Sequence, residues 1–178
     1  MFYISEIMNV APTTFKTAFQ KTVYETLEKL NIPFERVDTD EAITMDDCVA
    51  INEKLDMKMV KTLFLCNRQQ TDFYLFVTQG DEPFRSKDFS HALDIARVSF
   101  APTELLYDML QTPVGAATVL STPTDTDNRV KVVLDSEVTA ETWYGCSDGT
   151  TTRYLKLQTM DVLRYLDGTN HCPVIITI

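Results

Sequence analysis

Two apolar runs, Met59-Val-Lys-Thr-Leu-Phe-Leu-Cys66 and Phe73-Tyr-Leu-Phe-Val-Thr78, stand either side of the polar stretch Asn67–Asp72. Runs of this kind bounded by polar segments favour strands. A link this short allows only antiparallel neighbours, because a parallel return needs a crossover of a dozen residues or more. The spacing therefore predicts a hairpin, and its apolar faces must be covered. Upstream, Phe15, Ala18, Phe19, Val23, Leu27 and Leu30 recur at three- and four-residue steps, the stripe of a helix that buries one face. Asn31 and Pro33 end it, since proline biases the preceding residue away from helical geometry. Phe34–Val37 reads as a short strand. Thr44-Met-Asp-Asp47 reads as a helix start, with a capping oxygen and carboxylates at the positive end. That helix turns Cys48, Ile51 and Leu55 inward.

Downstream, Ser86–Leu93 and Thr103–Leu110 read as short helices. Strands are expected at Ala117–Leu120 and Val130–Leu134, either side of the Pro-, Thr- and Asp-rich loop Ser121–Asn128. Trp143–Thr151 reads as a turn-rich loop and Tyr154–Leu157 as a strand. A helix capped by Thr159 and a last strand, Pro173–Ile178, follow. Consecutive strands are often only a loop apart, which favours an α+β domain with a mixed, mostly antiparallel sheet over a doubly wound parallel one. The 178 residues contain no repeat and no Gly/Ser linker, so one domain over residues 1–178 is expected.

Composition narrows the function by exclusion. Sixteen basic against twenty-six acidic residues leave a formal charge of −10, unsuited to coating DNA or an anionic membrane. No run of 18 apolar residues exists, so no membrane span is expected. The start, Met1-Phe-Tyr-Ile-Ser-Glu, has no basic and apolar signal pattern, and a cytoplasmic location is expected. Cys48, Cys66, Cys146 and Cys172 lie far apart and read as free thiols. Phosphate-binding glycine motifs and a nucleophile elbow are absent, and His91 and His171 have no metal-spaced partner. Neither a metal nor a cofactor is expected. A lone histidine is more often structural, and both are read that way.

Several segments together carry a resemblance. Thr44-Met-Asp-Asp-Cys48, Lys61-Thr-Leu-Phe-Leu-Cys-Asn-Arg68, Val98-Ser-Phe-Ala-Pro102 and Gly115 before Val119-Leu120 come in one order. Asn128-Arg-Val-Lys-Val-Val-Leu-Asp135, Tyr144-Gly-Cys146 before Leu155-Lys156, and His171 before Pro173 continue it. The chain resembles the prolyl-tRNA editing family: free-standing relatives of the insertion domain of bacterial prolyl-tRNA synthetase, in the YbaK fold group. The likeness covers residues from about 20 to 178 and leaves 1–19 as an extension and helix start. It implies a curved mixed sheet flanked by helices and a deacylase that removes wrongly attached amino acids, typically alanine, from tRNA for proline. At several positions this sequence differs from the family pattern. Thr62 stands where an asparagine follows the family lysine, and Val114 where a proline precedes Gly115. Ser147, Asp148 and Thr151 stand where the loop after Gly145-Cys146 has histidine, proline and asparagine.

The resemblance implies that Lys61 is the catalytic residue. Its ammonium would anchor the terminal adenosine or stabilise negative charge on the ester carbonyl. Thr62, Gly115, Gly145, Ser147, Asp148 and Thr151 would bind substrate. Gly115 would allow backbone to approach the ribose, and Asp148 would accept from an α-ammonium or act as a weak base. Asp148-Gly149 is equally ordinary turn chemistry. Cys146 is expected to pack rather than attack. An aminoacyl ester is already activated, so positioning, a polarised carbonyl and a water or ribose hydroxyl would suffice.

The expected partner is the acceptor end of tRNA. Between Lys54 and Arg97 seven basic residues meet six acidic ones, making this the least acidic part of the chain. Binding should therefore be weak and salt-sensitive. Two other readings remain open: a degenerate editing domain that binds without hydrolysing, and a protein-interaction module.

Overall fold

In a computed structural model, residues 1–79 and 83–178 are described. Helix α1 (Ala18–Lys29) is capped by Thr17, whose hydroxyl accepts from the Gln20 amide. Its buried face carries Phe19, Val23 and Leu27, with two polar residues among them, Gln20 and Tyr24. After α1 come β1 (Glu35–Asp38) and α2 (Met45–Leu55). The α2 start is the expected one: Thr44 and Asp47 close a capping box, each side chain accepting from the other's backbone N–H. Asp56, in the left-handed region at φ 50°, ends α2.

The hairpin forms as the spacing predicts. Strands β2 (Val60–Asn67) and β3 (Phe73–Gln79) pair antiparallel from Val60 opposite Gln79 to Cys66 opposite Phe73. Then come α3 (Ser86–Leu93), β4 (Val98–Phe100), α4 (Thr103–Leu110), β5 (Val130–Asp135), α5 (Ser136–Thr139), β6 (Trp143–Ser147), β7 (Arg153–Gln158), α6 (Thr159–Gly168) and β8 (Val174–Ile176).

The mixed, mostly antiparallel sheet is present and is divided in two. A five-stranded sheet runs β4-β2-β3-β5-β8, and a three-stranded one runs β1-β7-β6. Among the described residues only the β3–β5 and β5–β8 strand pairs are parallel. A single parallel bridge among the described residues, Met59 to Gly145, joins the sheets.

Strand alternation sorts the core. Phe64 and Cys66 of β2, Leu75 and Val77 of β3, and Val132 and Leu134 of β5 face the main core. Tyr144, Cys146, Leu155 and Leu157 meet them from the small sheet, and α1, α4 and α6 close the sides. On the other face, Leu65, Tyr74 and Phe76 pack under Phe89 of α3, with the Phe76 and Phe89 rings 4.9 Å apart. Deleting that ring, Phe89→Ala, would cost about 3–5 kcal/mol, the usual loss for a buried aromatic. A third cluster, Val37, Ile51, Leu55, Met57 and Tyr154, lies beneath α2. No described helix is long and apolar enough to cross a membrane.

Three local expectations are corrected. Ala117–Leu120 is not a strand: Val119–Thr124 form a 3₁₀ helix, which takes up half of the expected loop. The Thr118 hydroxyl accepts from the Leu120 amide, a local bond that competes with extended pairing. Trp143–Thr151 is not all loop, because Trp143–Ser147 pair with β7. At the start of α6 the cap position is Gln158, and the Thr159 hydroxyl is buried without a partner. Strand β4, only three residues long, had no periodicity to announce it.

Candidate functional site

The two sheets close on each other at one seam because a side chain is absent there. A Cβ on Gly145 would lie 2.7 Å from the Met57 sulfur and 2.9 Å from the Lys58 carbonyl, so only glycine permits the Met59–Gly145 bridge. Two residues further on are Lys61 in β2, on the Leu63 and Leu65 face of its strand, and Ser147 in β6, on the face away from Cys146. Lys61 is half-buried, lies opposite Thr78, and has no ion pair or hydrogen bond among the described residues. The buried Ser147 hydroxyl donates to the Ala116 carbonyl at 3.2 Å and accepts from the Gly149 amide at 3.4 Å. This ties the end of β6 to the turn at Gly115. That glycine has φ +88° and open space where a side chain would be.

Asp148, one residue on, faces the opposite way, into α1. It is fully buried and accepts four hydrogen bonds. Gln20 Nε2 and Tyr24 Oη donate to one oxygen, both at 2.7 Å. The Thr150 amide and hydroxyl donate to the other at 3.1 and 2.7 Å. Burial pushes the carboxyl above its ordinary value, against the pull of these bonds and of the nearby Arg153 charge. Burial and the adjacent carboxylate raise the Tyr24 hydroxyl as well, which keeps it a donor. With its acceptor sites taken, Asp148 fastens the loop to α1. Gly149 completes the lock: its φ is +95°, and a Cβ there would overlap the Phe19 ring.

A family model described as the aminoacyl-tRNA editing domain matches residues 39–165. The chain belongs to that editing family. A zebrafish (Danio rerio) relative named prolyl-tRNA synthetase associated domain-containing protein 1 is 29% identical over 170 residues, covering 94% of this chain and 90% of the relative. A solved structure provisionally described as a trans-editing enzyme for prolyl-tRNA synthetase superposes with a TM-score of 0.65 at 13% identity, covering 92% of this chain and 99% of its own. The crystal structure of a hypothetical protein gives 0.69 at 15% identity over 87% and 98%. These two likenesses concern the fold.

Against the pattern of the editing family, the expected site residues divide. Gly145 and Ser147 share β6, Ser147 is hydrogen-bonded to the Gly115 turn, and Lys61 stands in β2 two residues past the bridge. Thr62 alternates toward the main core, where the buried Tyr144 hydroxyl lies beside it without closing a hydrogen bond. Thr151 lies at the edge of the loop, its hydroxyl 3.4 Å from a Glu41 carboxylate oxygen. Cys146 is buried in the main core, and burial pushes its thiol up to about 12, which leaves almost no thiolate to attack an ester. His171 is a clasp, its Nε2 2.9 Å from Asp125 and its Nδ1 2.6 Å from the Thr169 carbonyl. His91 is exposed at the end of α3.

Sequence reasoning missed Gln20, Tyr24 and Thr150 as the partners of Asp148. Their signal was present: Gln20 and Tyr24 are polar, four residues apart, and adjoin the apolar positions Phe19 and Val23 of the α1 stripe. Polar groups on a buried face need partners. The Ala116 carbonyl that holds Ser147 had no signal at all.

Proposed function

We propose that this editing-family chain is a trans-acting deacylase that hydrolyses mischarged tRNA for proline, most often carrying alanine or another small aminoacyl group. What supports the reading is the family match over residues 39–165, with Lys61 and Ser147 each standing two residues past the Met59–Gly145 bridge of the seam. With the ester in that seam, the Lys61 ammonium stabilises the developing oxyanion and the Gly115 turn lies against the terminal ribose. The nucleophile is a water or a ribose hydroxyl, oriented beside Ser147 and Gly145. Thr62, Asp148 and Thr151 support the walls rather than touch the reacting atoms. Incubating the protein with alanyl-, seryl- and threonyl-tRNA for proline and following ester loss tests this. The reading expects hydrolysis of at least one, and a wall of serine rather than histidine should tolerate hydroxylated residues better than an alanine editor does. No hydrolysis of any of the three refutes it.

A second reading, a domain that binds charged tRNA without hydrolysing it, is favoured by one observation. The Ser147 hydroxyl and the Asp148 carboxylate both have internal partners, so neither is free as a base. Restoring the family pair separates the two, but Asp148→Pro would orphan the Tyr24 and Gln20 donors. The exchange is therefore made as Ser147→His and Asp148→Pro together with Tyr24→Phe and Gln20→Leu. Hydrolysis gained from none marks a lapsed enzyme. A shift of preference toward alanine marks a retuned one.

A further inference from the structure

We propose that the cleft between Arg68 and Arg97, at the far end of β2 from Lys61, binds the phosphodiester backbone of a tRNA acceptor arm. The proposal rests on the editing reading above. Four strand ends meet there: Cys66 lies opposite Phe73, Asn67 opposite Val98, and Phe73 opposite Val130. Three exposed arginines crowd this end, Arg68 just after β2, Arg97 just before β4 and Arg129 just before β5. Among the described residues none of them forms an ion pair, and the Arg129 guanidinium rests 5.5 Å from the Phe73 ring centre. Three unpaired arginines at one place are conspicuous in a chain of net charge −10.

Arg68, Gln70, Arg97, Ser99 and Phe100 line a cleft of about 480 Å³. Guanidinium forks match phosphate oxygens bidentately, and the Ser99 hydroxyl and Gln70 amide add neutral donors. Phe100, 61% exposed on the edge strand β4, stands beside them, its ring 5.7 Å from that of Phe84. Cations with an adjacent exposed aromatic fit a nucleotide chain, which offers a phosphate and a base together, better than an acidic peptide. The local acids are Asp72, Asp94 and Asp127, and the Asp72 carboxylate already accepts from Asn67. The acidic remainder of the surface confines a polyanion to this end.

The spacing agrees with the function. From Lys61 to Asn67 the strand runs roughly 20 Å, the length of about six stacked nucleotides at ~3.4 Å each. With the ester at Lys61, the arginines reach the first base pairs of the stem rather than the unpaired 3′ end. Exposed Glu104 and Asp108 on α4 keep the backbone off that helix.

The test is binding of uncharged tRNA for proline across a salt series, with the full chain. Arg68→Glu with Arg97→Glu is compared with Lys21→Glu with Arg164→Glu, an equal charge change at two exposed, ion-paired positions elsewhere. The cleft pair should weaken binding at least tenfold at low salt. It should also make the log K against log salt slope shallower by about 1.5–2, two phosphate contacts' worth. Phe100→Ala should weaken binding a few-fold with the slope unchanged. If the cleft variant binds like the wild type, or the control pair weakens binding equally, the cleft is not the contact and the editing reading stands. If the wild type holds no tRNA at any salt, that reading fails and the cleft with it.

Discussion

Replacing Asp148 with alanine tests whether this residue is an anchor or a substrate ligand. The substitution leaves the Gln20 amide, the Tyr24 hydroxyl and both Thr150 donors facing a buried void. Hydrogen bonds to a charged group contribute about 1.5–3 kcal/mol each, so four would sum to roughly 6–12 kcal/mol. The carboxylate's desolvation, visible in its raised pKa, offsets much of that. Removing one partner from such a buried network usually costs about 3–5 kcal/mol, which we take as the expected loss. For a chain of this length that lowers the melting temperature by about 10–15 °C. Urea unfolding of Asp148→Ala, Tyr24→Phe and the double variant gives the coupling between the two groups, expected at about 1–2 kcal/mol. The linkage also has a sign. Because its folded pKa is raised, Asp148 stabilises most below its unfolded value, near pH 4, and loses that contribution as pH rises through the folded value. Asp148→Asn should therefore cost less stability at pH 8 than at pH 4. A loss under 1 kcal/mol for Asp148→Ala, with no coupling to Tyr24, would sink the anchor and return Asp148 to the substrate.

The other expectations concern neighbouring residues. Gly149→Ala should destabilise by about 3 kcal/mol or more, from left-handed strain plus overlap with Phe19, whereas Gly115→Ala, with open space beside it, should lose only about 1–2 kcal/mol; equal melting temperatures would contradict the packing at Gly149. Native protein treated with iodoacetamide at pH 8 should be modified at exposed Cys172 and spared at Cys146, and Cys146→Ser should retain any ester hydrolysis. Lys61→Ala should keep its circular dichroism and melting curve while deacylation falls at least tenfold, about 1.4 kcal/mol of transition-state stabilisation. Unchanged rates would remove Lys61 from the mechanism.

What could be read from the sequence was local. The β2–β3 hairpin, the α1 stripe and the α2 capping box each lie within about a dozen residues of their own signal, and all three are present. Strand β6 escaped because Gly145 and Ser147 look like turn residues; only pairing with β7 makes them a strand. The 3₁₀ helix escaped because the Thr118 hydroxyl outweighs the extended preference of Val119. The site was half legible. Family likeness pointed to Lys61 and Ser147, but the Met59–Gly145 bridge, two residues before each, has no pattern in either segment. The direction of Asp148 was equally hidden, since alternation within β6 could not be counted before β6 was known to be a strand.

The register of β1 carries a cost in time. Glu35 pairs with Lys156, so this strand is made roughly 120 residues before its partner. At ~5–20 residues per second, a ribosome takes about 6–24 s to deliver β7. Only one edge of β1 is provided for in the meantime. Ile4 and Met8 bridge to Thr39 and Arg36 from the segment made just before, and so mask the outer edge from the start. The inner edge, with Val37 and the underside of α2, stays open until the last quarter of the chain emerges, the interval in which a nascent chain is most exposed to wrong partners.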